Sequence, residues 1–324
     1  MIIHSNNIFT SINNELLQLN NNLKKMVVAE HPILYAAAEQ LFNAKSKKIR
    51  PAIVLLIAQI TMKDKKIKAE HKRLAEITEI IHTASLVHDD VIDDCETRRG
   101  INTVHNLFSN KIAILAGDFL FAQSSWYLAN LNDLNVVKTI SKVITDFAEG
   151  EVQQGVKSFD NKISIEDYME KSFYKTASLI ASSSKATTIL SKCNLDIQND
   201  FYIYGKHVGL AFQIIDDILD ITSSPTDLGK PAGSDLRNGN LTAPLIFALE
   251  EKPELSLLIN QEFQNTIDIS KAIAIIKNTT AIQKAKDLAE EHIQLAIQIL
   301  NEKYSSKSIQ NLLLVSHYII NRIN

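Results

Sequence analysis

Only two cysteines, Cys95 and Cys193, occur in 324 residues. Their spacing fits neither a disulfide framework nor a metal knuckle, and a reducing compartment is the simplest setting. Nine glycines and six prolines leave few breaks over such a length. That scarcity argues against a strand-rich, turn-dense fold and for long helices. There is no run of about 18 consecutive apolar residues, so no transmembrane segment is expected. The formal net charge is −3, which gives no general attraction to nucleic acid or to an anionic membrane. The segment Met1–Asn22 shows neither a signal-peptide pattern nor an Arg-rich transit pattern, so the chain is expected to act where it is made.

The apolar fraction, 45%, is enough for a sizeable core, and its spacing is helical. Helices are expected over 32–44, 52–62, 74–94, 112–131, 136–156, 165–190 and 201–221, with Pro51 in the first turn of its helix. The charged run from Lys63 to Arg73 reads as a solvated loop. Thr222–Pro244 holds Pro225, Gly229, Pro231, Gly233 and Gly239 and reads as one long irregular segment, suited to a lid. No linker divides the chain, so residues 1–324 are read as one all-α domain.

Two short words stand out. Asp89-Asp90-Val91-Ile92-Asp93 and Asp216-Asp217-Ile218-Leu219-Asp220 share the pattern Asp-Asp-x-x-Asp. Residues four apart lie about 40° apart around a helix, so Asp89 and Asp93 point one way, as do Asp216 and Asp220. Like charges at that spacing repel, and both words lie near helix C-termini, where the dipole disfavours anions. A hard divalent cation answers both problems. Mg²⁺ takes one or two carboxylates, keeps waters and bridges substrate phosphates. A solvated acidic face is the alternative, and it explains one such word better than two.

Phosphate would also need cations. Lys47 and Arg50 stand before the apolar third helix, Arg98 and Arg99 follow the first word, Lys175 and Thr176 lie in a helical run, and Lys230 lies in the irregular segment. His82 precedes Asp89 by about two helical turns on the same face. Each of these alone is an ordinary surface or core residue; only convergence on the acidic words would give them meaning.

The ordered set formed by Lys47-Lys48-Ile49-Arg50-Pro51, His82 to Asp93, Arg98-Arg99-Gly100, Gly150-Glu151 with Gln154, Lys175-Thr176-Ala177, Gln213 to Asp220 and Gly229-Lys230 resembles the trans-prenyltransferases, or polyprenyl diphosphate synthases. His31 to Glu39 looks most like the long-chain, solanesyl-type subgroup that serves plastoquinone. The resemblance implies an all-α isoprenoid synthase bundle around a deep cavity and an Mg²⁺-dependent transferase, usually a homodimer. In it Asp89, Asp93, Asp216 and Asp220 would hold metal. Arg98, Lys175, Thr176, Gln213 and Lys230 would contact an allylic diphosphate, farnesyl or geranylgeranyl; Lys47, Arg50, His82 and Arg99 would hold isopentenyl diphosphate. Small residues at Ala84 and Ser85, about one turn before Asp89, would leave room for a long product. Abundant Asn, Ile and Lys fit an AT-rich organelle genome, so a plastid stroma is expected if the chain is organelle-encoded, and the cytoplasm otherwise.

Two positions depart from that family's pattern. Lys45-Ser46 stands where Gly-Gly is common, and Asn240 stands where a lysine is common, which removes one phosphate-facing charge. Three rivals remain. A class I terpene cyclase would carry an Asn/Ser/Glu-type second motif, a non-catalytic partner subunit would tend to lose one word, and a metal phosphohydrolase would need more histidine ligands than His88 offers.

Overall fold

The computed structural model describes residues 9–43, 47–62, 66–98, 100–223 and 233–323. Its helices are α1 (Asn13–Met26), α2 (Pro32–Asn43), α3 (Ile49–Met62), α4 (Ala69–Ile92), α5 (Val104–Leu107), α6 (Asn110–Ala129), α7 (Leu134–Val156), α8 (Ile165–Ser172), α9 (Ser178–Leu190), α10 (Leu195–Thr222), α11 (Ser234–Arg237), α12 (Ala243–Glu251), α13 (Leu255–Asn260), α14 (Thr266–Lys277), α15 (Ala281–Asn301) and α16 (Ser306–Ile320). The two-residue strands β1 (Thr97–Arg98) and β2 (Ile101–Asn102) pair antiparallel, and Gly100, at φ 75°, turns between them.

Local chemistry accounts for many of these boundaries. Asp133 caps α7 by accepting from the amides of Asn135 and Val136, and Asn194 caps α10 by accepting from Ile197. Ser164 and Asp167 form a reciprocal capping box on α8, satisfying donors that the first turn leaves open. Pro51 sits in the first turn of α3 as expected. Residues 52–58 of that helix are all buried, as its near-continuous apolar sequence requires. α15 presents Ala281, Ala285, Ala289, Ile293, Ala296 and Leu300 on one buried stripe. Small residues on that stripe let α10 pack closely, between α15 and α9. One contiguous core runs from Ile12 to Ile319.

Three expectations are corrected. The Lys63–Arg73 run is not a loop throughout, because the chain is helical from Ala69. His71 is fully buried there, with its Nε2 3.1 Å from the Ser191 hydroxyl. Residues 165–190 are helical, but Phe173–Ala177 winds as a π turn between α8 and α9. Thr222–Pro244 is not wholly irregular, since α10 runs to Thr222 and α11 forms within it. As for a transmembrane segment, α6 is long and apolar enough to cross a membrane by length and composition alone. It packs along α4 instead, closely enough that a Cβ on Gly117 would stand 2.2 Å from the His88 ring. Its outer side exposes Ile114, Leu115 and Trp126.

Candidate active site

A cavity of about 530 Å³ opens between the C-terminal halves of α4 and α10. The start of α3, the α8–π–α9 run, the α11 region and the C-terminal Arg322 complete its wall. Asp89 and Asp93 line it from α4, Asp216 and Asp217 from α10. Both acidic words thus reach one space, at the helix ends where the dipole works against them.

The cations converge on the same space. Lys47, Arg50, His82, Arg98 and Lys175 line the cavity, as do Thr176 and Gln213. Arg50 lies 3.1 Å from His82 Nε2 and stacks its guanidinium 5.4 Å from the Phe212 ring. Lys47 stands 5.4 Å over Tyr318. Arg98 Nε donates to Asp90 at 2.5 Å, so the buried second carboxylate of the first word holds an arginine on the cavity lining.

Lys175 and Thr176 owe their position to the π turn. One extra residue in a turn re-aims the side chains that follow. Lys175 Nζ lies 2.7 Å from Glu151 and donates to Gln154 at 3.3 Å. Thr176 donates to Gln213 Oε1 at 2.6 Å, Gln213 Nε2 donates to Asp217 Oδ1 at 2.7 Å, and the Tyr168 hydroxyl donates to Asp217 Oδ2 at 2.6 Å.

The electrostatics are unbalanced toward the carboxylates. Burial pushes Asp89 up to about 7, against the pull of Lys175, and raises Asp93 for the same reason. Burial, with Asp235 adding repulsion, lifts Asp217 to about 8. Burial also works against the Lys175 ammonium, but Asp89 and Glu151 outweigh it and hold its pKa above the ordinary lysine range. Carboxylates stripped of water in this way are stabilised by a dication. Among the described residues no three His, Cys, Asp or Glu side chains make a ready cage. The donors are hard oxygens on opposite walls, which suits an ion completed by water and substrate oxygens.

Not every expected residue arrives. Asp220 is 2% exposed and turned away from the cavity lining. It accepts from the Ser234 hydroxyl at 3.0 Å and from the Asp235 amide at 3.3 Å. It ties α11 to α10, and Asp217 takes the place in the cavity expected of it. Ala84 is fully buried in the core and only Ser85 reaches the lining. Arg99, Lys230 and the departure at Lys45-Ser46 lie outside the described residues. Among the lining residues that sequence reasoning missed are Tyr168, Lys171, Asp235 and Arg322. Arg322 stands 2.7 Å from Asp216 and 4.8 Å over Phe212, and no local pattern announces a residue that far down the chain. For Lys171 there was a signal, since it precedes Lys175 by four residues.

The polyprenyl synthetase family model matches residues 31–276. A prenyl transferase of Porphyra purpurea is 57% identical over 320 residues, covering 99% of each chain. Chloroplastic solanesyl-diphosphate synthase 2 of Oryza sativa subsp. japonica is 49% identical over 316 residues, covering 97% of this chain and 78% of that one. A polyprenyl synthase from Caulobacter crescentus, solved with calcium and isoprenyl diphosphate, superposes with a TM-score of 0.92 at 28% identity, covering 98% of this chain and 97% of that one. With acidic residues on both walls of one basic cavity and relatives that match end to end, the chain belongs to the polyprenyl synthetase family and is a prenyltransferase.

Proposed function

We propose that this chain condenses isopentenyl diphosphate with an allylic diphosphate, farnesyl or geranylgeranyl, to make a long all-trans polyprenyl diphosphate. The observation that carries this reading is one cavity with two carboxylate walls and cations in two groups. Lys175 and Arg98, with the neutral Thr176 and Gln213 beside them, adjoin the carboxylates; Lys47, Arg50 and His82 stand together at the start of α3 and on α4. Two anionic substrates need two such groups. Bound Mg²⁺ on Asp89, Asp93 and Asp216 would supply charge that stabilises the departing diphosphate. The calcium and isoprenyl diphosphate held by the Caulobacter relative support that choice.

The residues then act by charge and position. Lys175 and Arg98 neutralise the leaving diphosphate as the allylic C–O bond breaks. The double bond of isopentenyl diphosphate, held by Lys47, Arg50 and His82, attacks the resulting carbocation. A new C–C bond forms, and loss of a proton to the departed diphosphate restores the alkene. No protein nucleophile is needed. The cavity walls must keep water from the cation.

The name of the rice relative supports a solanesyl-type length and a plastid setting; the assignment of the product to a quinone side chain rests on the resemblance of His31 to Glu39 to the solanesyl-type subgroup. Ser85, on the cavity wall, is the position we assign to chain length. The apolar outer side of α6, with Ile114, Leu115 and Trp126 exposed, supports a homodimer, and the contiguous core from Ile12 to Ile319 supports reading residues 1–324 as one catalytic domain. Incubation of the purified chain with Mg²⁺, labelled isopentenyl diphosphate and either primer should give long products on thin-layer chromatography. No elongation by the chain alone would instead favour a non-catalytic partner subunit.

A further inference from the structure

Lys171 lies in the last turn of α8, 7% exposed, and lines the cavity. Lys48, Arg98, Lys175 and Arg322, which line it too, each meet a carboxylate. Lys171 meets none within 4.0 Å among the described residues. Its ammonium donates to the neutral Oδ1 of Asn240 and lies 5.6 Å from the Tyr168 ring centroid. An ammonium has three donors, and only one is used here. Asp217 and Asp235 attract it from beyond ion-pair distance, but its two remaining donors still lack an acceptor, a cost that a bound anion would remove.

Asn240 is itself aimed. Its Nδ2 donates to Asp235 Oδ1 at 3.3 Å, which leaves Oδ1 for Lys171. Asp235 in turn is anchored through its amide to Asp220. The second acidic word therefore reaches Lys171 through α11: Asp220 holds Asp235, Asp235 orients Asn240, and Asn240 directs Lys171. A lysine at 240 would bring a second ammonium against the first, whereas an amide accepts the one already there.

We propose that Lys171 is a substrate-binding residue that grips the allylic diphosphate from the α8 wall, supplying the cation that position 240 does not. The proposal rests on reading the cavity as a diphosphate site. Titration calorimetry with Mg²⁺ and inorganic pyrophosphate tests it on the intact chain, alongside steady-state kinetics. Lys171→Gln should weaken pyrophosphate binding and raise the allylic KM by about 10- to 100-fold, the size of one charge-assisted hydrogen bond. The KM for isopentenyl diphosphate should stay within about twofold, the scatter of a contact not made. The swap variant Lys171→Asn with Asn240→Lys returns one cation to the same place and should recover most of the affinity.

Pyrophosphate affinity of Lys171→Gln equal to that of the unaltered chain would overturn the proposal. So would a folded swap variant, judged by its melting curve, that binds as weakly as Lys171→Gln. If the unaltered chain binds pyrophosphate yet elongates nothing, the functional reading fails, and the titration still decides for or against Lys171.

Discussion

Asp93 and Asp220 end two words of the same pattern, yet their surroundings give them different work. Asp93 lines the cavity with a raised pKa, while Asp220 spends its oxygens on Ser234 and Asp235. Helical spacing predicts which carboxylates share a face but not what that face meets. Asp89→Asn should lower kcat by roughly 10²- to 10³-fold, the usual cost of removing one group that stabilises developing charge. Asp220→Asn should cost about 1–3 kcal/mol of stability by loosening buried hydrogen bonds, with the smaller effect on kcat. Melting curves and steady-state rates compare the two, and the reverse order would contradict the placement. Ser85 and Ala84 differ in the same way. Ser85→Phe should shorten the product, and an unchanged length in an active variant would remove Ser85 from the tunnel wall.

At the scale of elements, the α8–π–α9 run decides the site. Periodicity placed a helix over 165–190, and helix is there, but a π turn alters the register by one residue, below what hydrophobic spacing resolves. Gly209 matters to this run, because a Cβ there would come within 2.5 Å of Ala177 Cα. That atom is backbone and cannot swing aside. Gly209→Ala should cost about 1–3 kcal/mol, as overpacking does, and displace Thr176 from Gln213. A lowered melting temperature together with a higher allylic KM is the expected pair; an unchanged KM would separate the packing from the site. The caps Asp133 and Asn194 set starts that hydrophobic spacing missed: α7 begins at Leu134 and not at 136, and α10 at Leu195 and not at 201, because the first polar turn of a helix carries no apolar period.

The whole molecule carries opposing proton linkages. Asp89 at about 7 and Asp217 at about 8 lie above their unfolded values near 4. Their stability contribution is full below that unfolded value and is lost as pH rises through about 7 to 8. His71 and His207, both lowered to about 4 by burial, act oppositely: their contribution is present above about 6.5 and is lost as pH falls toward 4. Metal binding must displace the carboxylate protons. The rise in melting temperature caused by Mg²⁺ should therefore be larger at about pH 8 than at about pH 6. Equal increments would show that these carboxylates do not bind the ion.

Helix content, family and the identity of most cavity residues were legible in sequence, because each depends on residue type and on spacing within a few turns. His82 could be assigned to the Asp89 face for that reason. The tertiary structure alone decided that Asp216 and Asp217 of the second word line the cavity while Asp220 does not, that Arg322 returns to meet Asp216, and that Lys171 and Asn240 share one charge. Those outcomes depend on distances between segments far apart in the chain, and packing sets those distances.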